Sequence, residues 1–262
     1  MSVLARKRTL SRYEYAYHFV KLYEYTEERL SKMAKRKHRW IGEPIADQMN
    51  AIRDDIMQAF DEFYGDGTIT KKKCTDAIRG LLKLQKPLLA LWNIERYTDK
   101  RMIKWVSLID REINLLADKA GLTGGRRYMY ILDYAVINRM ECMRNISALH
   151  KTIYTKAISL PAYCRATKGS YLMRTADEAL FCIFEGNRII PDSKEAYEKR
   201  EKYLSRSLNC LKAMEQPLFA VFNLMDYKSE TMEEIAKMIT EEEKLIIGLM
   251  KSDRKKFSQY TG

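Results

Sequence analysis

Glycine, proline, cysteine and long apolar runs are all scarce in this chain of 262 residues. Its 11 glycines and 5 prolines gather in a few short stretches, which favours long helices with short connections over a β-rich fold. The five cysteines are scattered and form no C-x-x-C pair, which indicates core residues in a reducing compartment. No apolar segment approaches the roughly 20 residues of a membrane span, and none follows the charged N-terminal residues as in a signal peptide. We therefore expect a cytoplasmic protein that is not bound to a membrane.

Residue patterns typical of enzymes and metal sites are also lacking. The three histidines, His18, His38 and His150, lie far apart and have no ligand spacing with cysteines or paired acids. The sequence has no glycine-rich phosphate loop, nucleophile elbow or kinase signature. The adjacent acids Asp177 and Glu178 point about 100° apart on a helix, which favours solvated charge over a metal site. We expect no metal and no cofactor.

Positive charge is what the chain does have, with 47 Lys and Arg against 35 Asp and Glu. The excess is +7 in residues 1–124 and +5 in residues 125–262, so that both halves contribute to the net +12. Such a distributed charge favours a polyanionic partner, of which nucleic acid is the commonest. A basic protein without such a partner is the simpler alternative.

An internal duplication organises the chain. The segment K-P-L-L-A-L-W-N, at 86–93, recurs as Q-P-L-F-A-V-F-N at 216–223, and the same offset of 130 matches Glu112 to Glu242. Upstream, R-Y-E-Y at 12–15 matches R-Y-M-Y at 127–130. Each copy places a proline on the polar side of a helix, where it removes a backbone donor. We expect both prolines to bend their helix by freeing the carbonyls of Lys83 and Ala213.

The periodicity of apolar residues predicts an all-α fold of two tandem antiparallel four-helix bundles. The expected domains are 1–122 and 123–262, joined by the glycine-containing run at 120–125. The predicted helices lie near 11–35, 43–64, 71–92 and 99–116 in the first bundle, and near 127–159, 170–184, 193–227 and 229–255 in the second.

Two clusters of cations mark the first copy as a candidate nucleic-acid-binding surface. One cluster ends the first helix and the other opens the third, where cations oppose the helix dipole and suggest a compensating anion. The residues are Lys32, Lys35, Arg36, Lys37 and Arg39 in the first cluster, and Lys71, Lys72 and Lys73 in the second.

The second copy carries cations around its first interhelical turn, interleaved with Tyr154, Tyr163 and Tyr171. Aromatic side chains among cations suit single-stranded RNA, which offers phosphates and unstacked bases together. A core position for several of the tyrosines is the alternative. The cations are Lys151, Lys156, Arg165, Lys168 and Arg174.

One short motif raises a catalytic alternative. R-N-I-S-A-L-H, from Arg144 to His150, resembles the R-N-x(4)-H signature of HEPN ribonucleases, in which Arg and His of two subunits cleave RNA without metal. The motif lies in the first helix of its copy, whereas that family has it in a late helix. Its expected counterparts in the first copy are Arg29 and Lys35, so that the histidine is missing there.

The module resembles the Avd-like family of four-helix-bundle proteins, related to the ribosomal-RNA intervening-sequence proteins. The resemblance lies in Pro161, Tyr171–Leu172, E-G-N at 185–187, L-N-C-L-K-A-M at 208–214, F-N-L-M at 222–225 and E-K-L-I-I-G-L-M-K-S at 243–252. The first copy has E-F-Y-G at 62–65 where the family has Glu-x-Asn, and the proline within the third helix is a further departure.

The resemblance implies a non-enzymatic scaffold, because Avd proteins are basic accessory subunits of diversity-generating retroelements. They assemble into rings and bind template RNA and a reverse transcriptase. For this chain it implies a homo-oligomer that binds RNA or single-stranded nucleic acid beside a reverse-transcriptase-type partner. The alternatives are a metal-independent ribonuclease using Arg144 and His150, and a protein-only adaptor whose basic surface contacts an acidic partner.

Overall fold

The computed structural model describes residues 13–33, 38–61, 67–95, 99–122, 140–225 and 229–258. Every regular element within these ranges is helical and none of them contains a strand, which confirms the predicted all-α class. The chain divides into two compact units, Met1–Leu132 and Asp133–Gly262. This division lies ten residues after the predicted boundary at 122, and outside the described residues.

The helices of the first unit follow the predicted apolar periodicity. They are α1 (Glu14–Ser31), α2 (Glu43–Asp61), α3 (Thr68–Lys83), α4 (Gln85–Glu95) and α5 (Asp99–Lys119), with a π-helical turn at His38–Gly42 before α2. The predicted third helix is thus two helices, interrupted at Leu84. Pro87 is the third residue of α4, a first-turn position where its missing N–H removes no helical hydrogen bond.

Neighbouring helices of the first unit pack antiparallel. Tyr25, late in α1, donates a hydrogen bond to the carbonyl of Arg101, early in α5. Thr70, at the start of α3, donates to the carbonyl of Ala59, near the end of α2. The α2–α3 contact is close, because a Cβ atom on Gly80 would lie 2.6 Å from Cγ1 of Ile52.

The second unit consists of α6 (Glu141–Ser159), α7 (Ser170–Arg188), α8 (Lys194–Met225) and α9 (Ser229–Lys256), with a π-helical turn at Arg165–Gly169 before α7. The predicted helix 127–159 is not continuous: Met140 is extended, with φ −112° and ψ 135°, so that α6 begins at Glu141. Residues 123–139 lie outside the described residues.

A buried arginine joins three helix ends in the second unit. Arg200, early in α8, donates Nε–H to Oδ2 of Asp253 near the end of α9, at 2.6 Å. Its Nη1 donates to the carbonyls of Gly186 and Ile189, at 2.7 and 3.2 Å, where α7 ends. These contacts show that α8 runs antiparallel to both α7 and α9. They add to the hydrogen bond that the carbonyl of Gly186 accepts from the N–H of Ile189 at the end of α7.

Corresponding elements of the two units are separated by a constant number of residues. The π-helical turns and the helices that follow them have equal lengths and begin 127 residues apart, at His38 and Arg165 and at Glu43 and Ser170. The first helices follow the same offset, because α1 begins at Glu14 and α6 at Glu141, whereas the predicted match of 12–15 to 127–130 has an offset of 115.

Pro217 differs from its counterpart Pro87 because it lies within a continuous helix, α8. The polar-side prediction is wrong for Pro217, whose ring is buried, whereas Pro87 is half-buried. Without an N–H, Pro217 cannot donate the helical hydrogen bond to the carbonyl of Ala213.

Candidate nucleic-acid interface

The first predicted cluster is only partly described. Lys32 is exposed and its Nζ donates to Oε1 of Glu28, one turn earlier on α1, at 2.6 Å. Lys35, Arg36 and Lys37 lie outside the described residues, as does the side chain of Arg39. An exposed i,i+4 pair contributes a few tenths of a kcal/mol, so Lys32 remains available to an external anion.

In the second cluster, the chain itself supplies an anion for one of the three lysines. Nζ of Lys73 lies 2.9 Å from Oδ1 of Asp55 on α2, and both side chains are about three-quarters buried. Lys73 therefore joins α2 to α3 through an ion pair, and its side chain is less accessible to an external anion than those of its two neighbours. Lys71 and Lys72 are exposed at the start of α3.

The predicted cations of the second unit differ in their exposure. Lys151 and Lys156 are half-buried on α6. Arg165 donates Nη1–H to the carbonyl of Ile158 at 2.9 Å, so that it caps the end of α6. Only Lys168 and Arg174 are exposed, on the turn before α7 and on α7 itself.

These two exposed cations line one groove between α7 and α8. A cleft of about 620 Å³ is lined by Lys168, Tyr171 and Arg174 on one side and by Ala213, Gln216 and Pro217 of α8 on the other. Tyr171, Arg174 and Ala213 also line an adjoining cleft of about 470 Å³, which extends to Arg206 and Cys210. We call the two clefts together the α7/α8 groove.

The α7/α8 groove contains more positive than negative charge. Its cations are Lys168, Arg174 and Arg206, and its acid is Glu178, whose Oε1 lies 2.6 Å from Nε of Arg206. Glu178 also accepts a hydrogen bond from the thiol of Cys182 at 3.5 Å. Burial, followed by the charge of Glu178, raises the pKa of Cys182 well above its usual value, so the thiol stays neutral. Lys168 and Arg174 thus account for the net positive charge.

The first unit lacks this chemistry at the corresponding positions. The residues 127 positions before Lys168, Tyr171 and Arg174 are Ile41, Pro44 and Asp47. Ile41 is buried and Asp47 is exposed, so that one acid stands where the second unit has a cation. The basic and aromatic groove is therefore a property of the second unit, although the helices around it are duplicated.

The two residues of the R-N-x(4)-H motif have different surroundings. Arg144 is exposed on α6, whereas the side chain of His150 is 0% exposed. Nε2 of His150 lies 2.9 Å from Oδ1 of Asp177, and the hydroxyl of Tyr154 donates to Oδ2 of the same carboxylate at 3.0 Å. Burial raises the pKa of Tyr154, so its hydroxyl remains a donor. The imidazole is part of the α6–α7 packing and is not presented to a substrate.

A hydrogen bond in the first unit corresponds to this histidine contact. Tyr23 of α1 donates to Oδ1 of Asn50 on α2 at 2.7 Å, and each residue stands 127 positions before His150 and Asp177. The predicted counterpart of His150, Lys35, is therefore wrong; it is Tyr23. Asp177, which we expected to be solvated, is a partly buried acceptor that joins two helices.

Two groove residues, Arg206 and Gln216, and two buried acids, Glu112 and Glu242, are not among the residues predicted from the sequence. Arg206 and Gln216 stand alone on α8, outside any cluster of charge. Glu112 and Glu242 were matched as repeats, but their complete burial was not foreseen. Their burial could have been predicted from their positions on the apolar faces of the helices, where Glu112 is next to Ile113 in α5 and Glu242 lies among the isoleucines of α9.

The described residues offer no site for a metal ion, because no three of their His, Cys, Asp or Glu side chains come together as ligands. None of the described helices combines the length and the apolar character that a bilayer crossing requires. No protein-family model, curated protein or solved structure matches the chain.

Proposed function

We propose that the protein is a non-catalytic basic scaffold that binds RNA or other single-stranded nucleic acid, with the α7/α8 groove as its main contact. The observation that carries this proposal is the shared lining of one groove by Lys168, Arg174 and Tyr171. Exposed cations bind phosphates, and an exposed aromatic ring stacks on an unpaired base. Tyr171 is 43% exposed, so its ring is accessible to such a base.

The remaining exposed cations supply further phosphate contacts in the proposal. In the first unit, Lys32 at the end of α1 and Lys71 and Lys72 at the start of α3 are exposed members of the two predicted clusters. Contacts of this kind depend on charge and not on base sequence, and they raise affinity and association rate together.

The proposed protein partner is of the reverse-transcriptase type, and the proposed assembly is a homo-oligomer. Both rest on the resemblance to Avd-like proteins. The all-α fold is compatible with that resemblance, and the net positive charge of the chain is compatible with a partner that itself holds RNA.

Charge reversal within the groove tests the proposal. Binding of a fluorescent single-stranded RNA 12-mer to the full chain is measured by anisotropy over a series of salt concentrations. The variant Lys168→Glu/Arg174→Glu should bind more weakly. Because each phosphate contact on a single strand contributes about 0.7 to the slope of log affinity against log salt, the slope should fall by about 1.4.

The matched control is Lys237→Glu/Lys244→Glu, which changes the net charge by the same amount on α9, away from the groove lining. This control should lose much less affinity than the groove variant. Equal loss in both variants would mean that the groove is not the site. Absence of any binding to RNA or single-stranded DNA, even at low salt, would contradict the proposal and favour a protein-only adaptor.

A further inference from the structure

The backbone of α8 offers an unusual acceptor in the α7/α8 groove. Pro217 has no N–H, so the carbonyl of Ala213 cannot receive the hydrogen bond that residue 217 of a regular helix would donate. Ala213 and Pro217 are four residues apart and therefore lie on one face of α8, and both line the groove. The groove is thus lined by the residue whose carbonyl lacks its regular helical donor.

A side-chain amide also lines this groove. Gln216 is exposed and lines the same cleft. Its amide both donates and accepts, whereas the carbonyl of Ala213 only accepts. Together they can bind the edge of a nucleobase, since every base has an N–H donor on its Watson–Crick edge once it is unpaired.

The groove therefore brings together the three kinds of group that recognise an unpaired nucleotide. Lys168 and Arg174 supply cations for phosphate, Tyr171 supplies a stacking surface, and α8 supplies the polar groups for the base edge. The cleft volume of about 620 Å³ lies within the 300–1,000 Å³ or so that is usual for small-ligand pockets.

We infer that the α7/α8 groove holds one unpaired nucleotide, with its base stacked on Tyr171 and its edge bound by Gln216 and the Ala213 carbonyl that Pro217 frees. This inference rests on the proposed function and specifies the site: a single-stranded segment whose base enters the groove, not a duplex whose bases are paired. The proline in α8 then has a role in recognition in addition to its effect on the helix.

The duplication provides a natural control for the proline. Pro87 stands 130 residues before Pro217, but it lies in the first turn of α4, after the interruption at Leu84. The first unit also has Pro44 and Asp47 at the positions of Tyr171 and Arg174. The same substitution at Pro87 should therefore leave binding of a nucleotide unchanged.

The experiment compares Pro217→Ala with Pro87→Ala in the full chain, using the single-stranded RNA 12-mer and inorganic polyphosphate as probes. Pro217→Ala restores the N–H that occupies the Ala213 carbonyl and leaves every groove charge in place. Loss of one hydrogen bond should weaken RNA binding by about three- to tenfold. Polyphosphate binding should not change, because that probe has no base, and Pro87→Ala should bind both probes like the unmodified chain.

A second variant tests the stacking surface separately. Tyr171→Ala should weaken RNA binding by about fivefold to a hundredfold and leave polyphosphate binding unchanged, whereas Tyr171→Phe should retain the affinity for RNA. Circular dichroism checks that each variant is folded; replacing a proline inside a helix removes a source of strain, so Pro217→Ala should not unfold α8.

The outcomes distinguish this inference from the proposed function. If the unmodified chain binds RNA with the expected salt dependence but Pro217→Ala binds equally well, the base-edge role of Ala213 is refuted and the scaffold proposal stands. Equal weakening of RNA and polyphosphate binding by Pro217→Ala would also refute the inference, because it would indicate a general distortion of the groove. If the unmodified chain binds neither probe, both proposals fail.

Discussion

Glu242 should make the second unit less stable as the pH rises. Its side chain is 0% exposed on α9, and neither carboxylate oxygen has a hydrogen-bond partner. Burial, followed by repulsion from Glu141 on α6, raises the pKa of Glu242 to about 8 from the usual 4.5. The carboxyl group is therefore protonated in the folded state at neutral pH, whereas the unfolded chain ionises it.

The sign and the size of the effect follow from proton linkage. Because the folded state binds the proton more tightly, its advantage is complete below pH 4.5 and is lost as the pH rises to about 8. At about 1.4 kcal/mol for each pH unit between the two pKa values, the loss is about 5 kcal/mol in total. Integration of the linkage between pH 5 and pH 8.5 assigns about 4 kcal/mol of it to that range.

Urea unfolding at pH 5 and pH 8.5 measures this loss, and the three tryptophans separate the two units. Trp40, Trp92 and Trp105 all belong to the first unit, so their fluorescence reports that unit while circular dichroism reports both. Glu242→Gln cannot ionise and should remove about 4 kcal/mol of pH dependence from the second unit only.

Glu241→Gln is the matched control, because Glu241 is the neighbouring residue and its side chain is 50% exposed. It should leave the pH dependence as it is in the unmodified chain. If Glu242→Gln and the unmodified chain lose the same stability between pH 5 and pH 8.5, Glu242 does not carry a raised pKa and the reasoning is refuted.

Three further predictions concern single contacts. Burial lowers the pKa of His18 and raises that of Glu112, so each favours its neutral form at their 2.8 Å contact. Substitution of either residue by Leu should reduce the free energy of unfolding by about 1–3 kcal/mol, measured by tryptophan fluorescence. If the double variant loses the sum of the two single losses, the two residues are not coupled. Gly80→Ala should lower the free energy of unfolding by about 1–2 kcal/mol through overpacking. Gly248→Ala, with nothing within 4 Å of the added carbon, should raise it by about 0.5–1 kcal/mol. A stabilising Gly80→Ala together with a destabilising Gly248→Ala would contradict this packing. His150→Ala should destabilise the second unit by a few kcal/mol and leave RNA binding unchanged; cleavage of labelled RNA in the presence of a chelator that this variant abolishes would instead support the ribonuclease alternative.

Helix positions were largely predictable because apolar periodicity is a local property of the sequence. Helices α2, α7, α8 and α9 begin within one residue of their predicted starts. The errors lie where tertiary context decides: α6 begins at Glu141 after the extended Met140, and the third predicted helix is interrupted at Leu84. A helical pattern that continues through such a residue does not reveal the break.

The sequence predicted the types of residue at the candidate site, but not which of the predicted residues line it. Lys168, Arg174 and Tyr171 were foreseen as cations and an aromatic residue near one turn. The sequence does not show which cations are exposed, because packing of the helices brings Lys73 next to Asp55 and Arg165 next to the carbonyl of Ile158.

The sequence by itself determined that the chain is helical, basic and internally repeated, because periodicity, composition and self-similarity need no knowledge of neighbours. Tertiary structure alone decided that the buried His150 contacts Asp177, that Glu242 lies without a partner, and that Pro217 and Arg174 line one groove. Contacts between residues far apart in sequence depend on which helix faces pack together, and burial then sets the free energy of each charge.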